Sequence, residues 1–405
     1  MGIAFSKRWF QIGVINLAAV ALYGTLMRYK IAFDFPFLVQ KNLLHAHSHF
    51  AFAGWISHVL YSGLAMFLTP YLPGKRVKWY NLLIMLNLVS AFGMLIAFTA
   101  QGYKAVSISF STLSIFIAVV YAYIFITDMK YLPAKHPSKP WSITGLLLNI
   151  FSSIGPFSLA YMLASHHINH HLYLGSVYFY LHFQYSGWFF FGCMALVTTV
   201  LPSGFPSLKK YYYVFAATVI PTFFLSVLWA KLPLWLYVLT VIAALCQFFA
   251  WVILLVKGWI FFRQQITRQY TRWINVFFYV AAIALTLKFL LQAISVIPSL
   301  SQLVFGIRPI VIAYLHLVLL GVYSLFFIGF LFFNGWVIST KIARIASFAF
   351  LAGVVLNELL LAIQGFTAFA YIPVPYINQM LLVAALILLL SAIILSLSQI
   401  RKQML

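Results

Sequence analysis

The sequence predicts an all-α polytopic membrane protein, a single domain over residues 1–405 whose twelve transmembrane helices form three pseudo-symmetric four-helix arcs. Three observations predict it. The 405-residue chain is 64% hydrophobic and 7% charged, with a mean hydropathy of +1.03, a balance foreign to soluble globular domains. Apolar runs of about 20 residues, enough to cross a hydrocarbon core ~30 Å thick, recur twelve times. A histidine–glycine signature returns at near-equal intervals, which marks an internal repeat.

The runs fall at 9–31, 45–69, 79–102, 105–128, 142–164, 175–201, 211–230, 235–261, 274–297, 309–333, 344–366 and 375–398. The first is too long for a signal peptide and lacks a cleavage site. The opening MGIAFS fits a myristoylation pattern that a twelve-span chain does not need. With the N-terminus cytoplasmic and the spans alternating, most of the 25 basic residues fall inside: Lys7, Arg8, Lys75, Arg76, Lys78, Lys130, Lys135, Lys139, Lys209, Lys210, Lys257, Arg263, Arg268, Arg272, Lys341, Arg344, Arg401 and Lys402. Arg28, Lys30, Lys41, Lys104, Lys231 and Arg308 fall outside. This asymmetry follows the positive-inside rule, places both termini in the cytoplasm and supports an even span count. The net charge of +22 then reflects topology and attraction to anionic membrane lipid, not nucleic acid. The expected location is a bacterial inner membrane. Cys193 and Cys246 lie within spans and read as packing residues.

His49-Phe-Ala-Phe-Ala-Gly54-Trp55 opens span 2, His182-Phe-Gln-Tyr-Ser-Gly187-Trp188 opens span 6, and His316-Leu-Val-Leu-Leu-Gly321 opens span 10. The three histidines are 133 and 134 residues apart, four spans from one copy to the next. All three spans run inward from the outer face, so the imidazoles lie within about two turns of it and can converge at one level. His45 and His49 share a helix face while His47 points roughly the other way, so span 2 offers imidazole in two directions, to as many as two metals. Gly54 and Gly321, about a turn below, leave a bare strip for a planar ligand or a neighbouring helix. Each histidine taken alone could simply hydrogen-bond across helices. Burying several unpaired imidazoles at one depth is costly, and metal or haem ligation explains them better.

The loop before span 6 reads His166-His167-Ile-Asn-His170-His171, the composition of a metal site, with a solvated pH-sensitive loop as the alternative. His58 shares a face with His47 and reads as a second-shell, relay or structural residue. Lys288 and Glu358 are the deep lysine and the deep carboxylate, candidates for a proton path or for a mutual ion pair.

These residues resemble the haem-copper oxidase subunit I superfamily. His47-Ser-His49-x4-Gly54-Trp55 is similar to the HxHxxxxG(W/F) element of the cbb-type oxidases, where it stands on span 10, and of NnrS-like membrane proteins, where it stands early. His316-x4-Gly321 resembles the later histidine motif of both branches, and His182 with Pro202 matches the placing of the cbb-type copper histidine and closing proline. The resemblance implies a low-spin haem b between spans 2 and 10, held by His47 or His49 with His316. It implies a copper ligand at His182, with Tyr185 and Ser186 where the oxidase tyrosine is expected. Tyr314 replaces the first histidine of the family's span 10 pair, and span 7 carries no histidine, so the implied active site is incomplete or rewired.

The leading expectation is therefore a haem-binding membrane oxidoreductase or redox protein acting on oxygen or nitric oxide, with copper or non-haem iron as a possible second metal and an electron-donor protein or quinol as partner. Two alternatives come from other classes. A non-haem di-iron enzyme would use HAHSH and HHINHH as histidine boxes, and a proton-coupled transporter would use Lys288 and Glu358.

Overall fold

The computed structural model describes residues 5–167, 169–202, 204–265, 272–300 and 307–400. Gly2 of the myristoylation pattern, and Arg268, Arg401 and Lys402, lie outside these residues. Regular structure among the described residues is helical throughout. In chain order the main helices are α1 (Arg8–Ala32), α2 (Gln40–Tyr71), α3 (Gly74–Gln101), α4 (Ala105–Tyr131), α5 (Ser138–Ala164), α6 (170–200), α7 (Lys209–Ala230), α8 (Leu234–Arg263), α9 (Arg272–Ile294), α10 (Arg308–Phe333), α11 (Lys341–Ala368) and α12 (Ile377–Ile400). Eleven of them are long and apolar enough to cross a membrane. The remaining one, α6, joins helical pieces of 13, 7 and 11 residues end to end, and Gln184, Tyr185 and Ser186 in its middle lower its hydropathy.

The distribution of side chains is that of a protein dissolved in lipid. Phe116, Ile283, Phe366 and Leu390 are exposed on the helix flanks, whereas Asn16, Asn87, Ser90 and Gln247 are buried. Hydrocarbon cannot hydrogen-bond, so polar groups must turn inward and meet one another. Cys193 is buried as expected of a packing residue, but Cys246 lies on an exposed face of α8.

Close contacts divide the chain into two compact units. The first comprises 1–117, 271–281 and 309–405. Here α12 packs along both α1 and α11, and Thr25 and Ser396 reinforce the α1–α12 seam by donating to Ala385 O (3.1 Å) and Val14 O (3.0 Å). α2 lies against α1 and α3. α3 ends at Gly102, whose φ of +67° and whose approach to Asn42 leave no room for a side chain. The second unit comprises 118–270 and 282–308, with α5 packed against α6, α6 against α7, and α7 against α8.

Each copy of the repeat carries the same backbone departure. α2 widens into a π-helix at Ala51–Ser57, α6 at Phe183–Phe189 and α10 at Leu317–Ser324. Each begins one or two residues after the repeat histidine and contains the repeat glycine. A π turn displaces carbonyls from their usual α partners, and such turns cluster at functional sites. In α2, Asn16 of α1 donates to Gly54 O (2.6 Å) and Asn87 of α3 to Ala53 O (3.0 Å). In α10, the Ser324 hydroxyl donates to Leu319 O (2.8 Å) and accepts from Trp55 Nε1 (2.9 Å), which ties the first copy to the third.

The α5–α6 contact depends on small residues. A Cβ on Gly155 would stand 2.5 Å from the Ser176 carbonyl, a backbone atom that cannot swing aside, whereas Gly175 has open space around it. Gly155→Ala is therefore expected to cost about 1–3 kcal/mol by overpacking, and Gly175→Ala to be neutral or slightly stabilising. Thermal unfolding of the two variants in one detergent checks the contrast.

Candidate functional site

The histidines of α2 divide between two neighbours. His45 and His49 face α3: His49 stacks on Phe98 (4.5 Å between ring centroids, 11° between planes), and its Nε2 meets the Tyr103 hydroxyl at 2.9 Å. His45 lies edge-on to Tyr103 at 4.6 Å, with a buried Nε2 that has no partner. His47 faces α1 instead. It packs against Gly24, where an added Cβ would come within 3.3 Å of the imidazole, and its Nδ1 lies 3.1 Å from Val20 O. A carbonyl can only accept, so Nδ1 carries the proton and Nε2 keeps its lone pair.

His316 on α10 reaches the same state by a different contact. Its Nδ1–H donates to Ile312 O, one turn back on its own helix, at 2.8 Å, again leaving Nε2 as the lone-pair nitrogen. His316 and the Arg28 guanidinium both lie within electrostatic reach of His47, and Arg28 also acts on His316. An imidazole whose Nδ1–H is anchored on a carbonyl, with a free Nε2, is oriented as metal-bound histidines are. In both residues Nε2 is the uncommitted nitrogen, and Arg28 is a cation that acts on both. Between the two α2 candidates the geometry favours His47, because His49 commits its Nε2 to Tyr103.

The glycine strips hold protein. At Gly54 the ring of Phe50 occupies the space a side chain would take, within 2.7 Å of an added Cβ, and Gly187 is covered by Leu148 of α5. Of the two roles open to a bare strip, contact with protein describes both positions. Gly321 is buried within its π segment.

His58 donates from Nε2 to Trp9 O (2.8 Å), while its buried Nδ1 has no partner. His182 of the second unit is fully buried and does the same toward α7, donating from Nε2 to Val219 O (2.8 Å) and keeping an unpartnered Nδ1. Val219 O is open to this contact because α7 turns to a 3₁₀ segment at Pro221, where Phe223 N bonds Ile220 O (3.1 Å) in place of Val219 O. Tyr185 lies 6.1 Å from the His182 ring, and Lys288 of α9 acts on it electrostatically. The Lys288 ammonium donates to Ser186 Oγ (3.0 Å) and sits 4.2 Å over the Phe289 ring and 6.0 Å from that of Tyr185. Glu358 accepts instead from its neighbour Asn357 at 3.1 Å.

The HHINHH segment spreads its imidazoles. His166 takes a left-handed backbone (φ 55°), and His167 donates to Ser165 O at 2.7 Å. Asn169 caps α6 by accepting from Leu172 N (3.1 Å), and His171 stacks on Trp229 at 5.1 Å. Among the described residues no three of His, Cys, Asp or Glu stand close enough to hold a metal ion. Sequence also gave no sign of Arg28 or Tyr103 as site residues. Only the capping asparagine had a readable signal, standing just before the helical run.

No protein-family model matches the chain, and no curated protein sequence matches it.

Lys288 is 2% exposed, and its ammonium meets the Ser186 hydroxyl and the ring faces of Phe289 and Tyr185. Burial of a charge so lightly compensated opposes folding. Lys288→Met is expected to raise the apparent melting temperature. Ser186→Ala, which strips the ammonium of its hydroxyl, is expected to cost about 1–3 kcal/mol. Paired melting curves decide whether the lysine is held against a stability cost.

Proposed function

We propose that the protein is a haem-binding redox protein of the bacterial inner membrane, a single twelve-span domain with both termini cytoplasmic and its repeats arranged as three four-helix arcs. His47 on α2 and His316 on α10 would hold a b-type haem through their Nε2 atoms, with Arg28 meeting its carboxylates. The observation that carries this reading is the shared state of the two imidazoles: Nδ1–H anchored on Val20 O and Ile312 O, Nε2 uncommitted, and each within electrostatic reach of the other. Two neutral imidazoles with fixed tautomers suit an apolar bundle, because neither needs to move a proton to become a ligand.

When bound, a haem held by His47 and His316 would supply reversible one-electron chemistry. The chain's own contribution is to orient both rings and to place a cation within electrostatic reach of them. Reduction of oxygen or nitric oxide would need a second centre. His182, with Tyr185 near its ring, is the candidate for that centre, whereas the haem alone would support electron relay or haem-linked sensing, with an electron-donor protein or quinol as the reductant.

The test is a reduced-minus-oxidised spectrum of the detergent-purified protein. A low-spin haem spectrum is expected, lost by at least about tenfold in haem content in His47→Ala and in His316→Ala and retained in His49→Ala. A wild-type protein without any haem band overturns the proposal. Loss in His49→Ala with retention in His47→Ala would reverse the ligand assignment.

A further inference from the structure

At one end of the second unit the loop before α7 and the last turns of α8 enclose an open pocket of about 450 Å³. Its lining includes Lys209, Lys210 and Lys257, together with Ser207, Tyr211 and Tyr213, and no carboxylate. The pocket is built into the fold. Phe205 packs on Phe261 and Phe262 of α8 (5.1 and 5.7 Å) over Gly258, whose bare face admits the ring. This pins the loop, and Ser207 Oγ accepts from Lys209 N at 3.3 Å, capping the start of α7. Lys210 Nζ lies 5.3 Å over the Tyr211 ring.

α7 and α8 are consecutive candidate spans joined by the short segment 231–233, so the start of α7 and the end of α8 lie at the same membrane face. Lys257 stands six residues before Arg263, the end of α8, about 9 Å along the helix. That depth lets its aliphatic stem lie among acyl chains while the ammonium reaches headgroup level. Tyr213 (58% exposed) and Trp259 (56% exposed) stand at the same level, as aromatic side chains do at a membrane interface.

We propose that this pocket binds the phosphate headgroup of an anionic phospholipid. Three ammonium groups without a carboxylate match a phosphate diester, and the tyrosine hydroxyls can donate to its oxygens. The position at the end of two spans selects the lipid over soluble phosphate, because the acyl chains then rest on the flank of α8 while the headgroup fills the pocket.

The experiment uses the full chain, purified in neutral detergent and freed of endogenous lipid, with bound lipid read by native mass spectrometry. Phosphatidylglycerol and phosphatidylcholine of identical acyl chains are offered in turn. Phosphatidylglycerol is expected to be retained at least about tenfold better, approaching 100-fold for three engaged lysines. The combined Lys209→Gln, Lys210→Gln and Lys257→Gln variant is expected to lose that preference, and the Lys75→Gln/Lys78→Gln control to keep it. Should the triple variant fail to fold, Lys257→Gln is compared with the charge-preserving Lys257→Arg. Equal retention of the two lipids overturns the proposal, as does an unchanged preference in the lysine variants. Displacement of phosphatidylglycerol by millimolar inorganic phosphate would make this a soluble-anion site and overturn the lipid assignment. None of these readouts depends on haem.

Discussion

In hydrocarbon a backbone donor or acceptor has no water to turn to, and the whole structure answers that constraint. The π segments that follow His49, His182 and His316 make the demand acute, since each shifts carbonyls off their ordinary partners. Asn16 and Asn87 meet the demand in α2 from opposite sides. The same contacts bind α1, α2 and α3 together, so the local irregularity becomes the seam of the first unit. Among the described residues three imidazoles reach a carbonyl of another helix: His47 on Val20, His58 on Trp9 and His182 on Val219. Because each carbonyl accepts, each hydrogen bond also decides which imidazole nitrogen keeps its lone pair. Helix packing thereby sets the chemistry of the histidines before any ligand arrives.

The helical architecture was legible because lipid imposes length and composition directly on the chain, and the repeat was legible because histidine and glycine recur in register. Helical spacing separated His47 from His45 and His49, and the structure keeps that division. What the sequence could not carry was the partner on each face, a carbonyl of α1 for His47 and the phenol of Tyr103 for His49. Lys288 and Glu358 invited pairing as the two deep charges, but Ser186 and Asn357 are their recorded partners. HHINHH looked like a metal site by composition. Its asparagine is a helix cap, and two of its imidazoles take separate partners, His167 the Ser165 carbonyl and His171 the ring of Trp229. Composition registers how many imidazoles are near in sequence; backbone direction decides whether they meet.

The three copies of the repeat have also taken different partners. Trp55 of the first copy spends its indole N–H on Ser324 of the third, while Trp188 of the second packs close to Gly145 of α5. Ser186, in the second copy, receives the Lys288 ammonium. A shared backbone irregularity has been kept while the side chains upon it diverged. This is what one expects if the π turn sets depth and direction, and the residues on it set chemistry.

Charge places a further demand on the molecule. With 25 basic residues against 3 acidic ones, the chain cannot neutralise its cations with its own carboxylates. Some cations settle on backbone carbonyls, as Lys7 does on Gly335 O and Lys139 on Leu132 O. Others rest on hydroxyls and ring faces, as Lys288 does. These are weak counterparts for a full charge in a low-dielectric medium. A chain so composed is completed electrostatically by anions it does not encode. Arg28 beside two neutral imidazoles and the three lysines at the end of α7 and α8 are places where the imbalance is concentrated. One lies next to a histidine pair and the other at headgroup depth. The proposed haem and the proposed lipid headgroup would each answer that deficit, and the neighbouring residues distinguish the two.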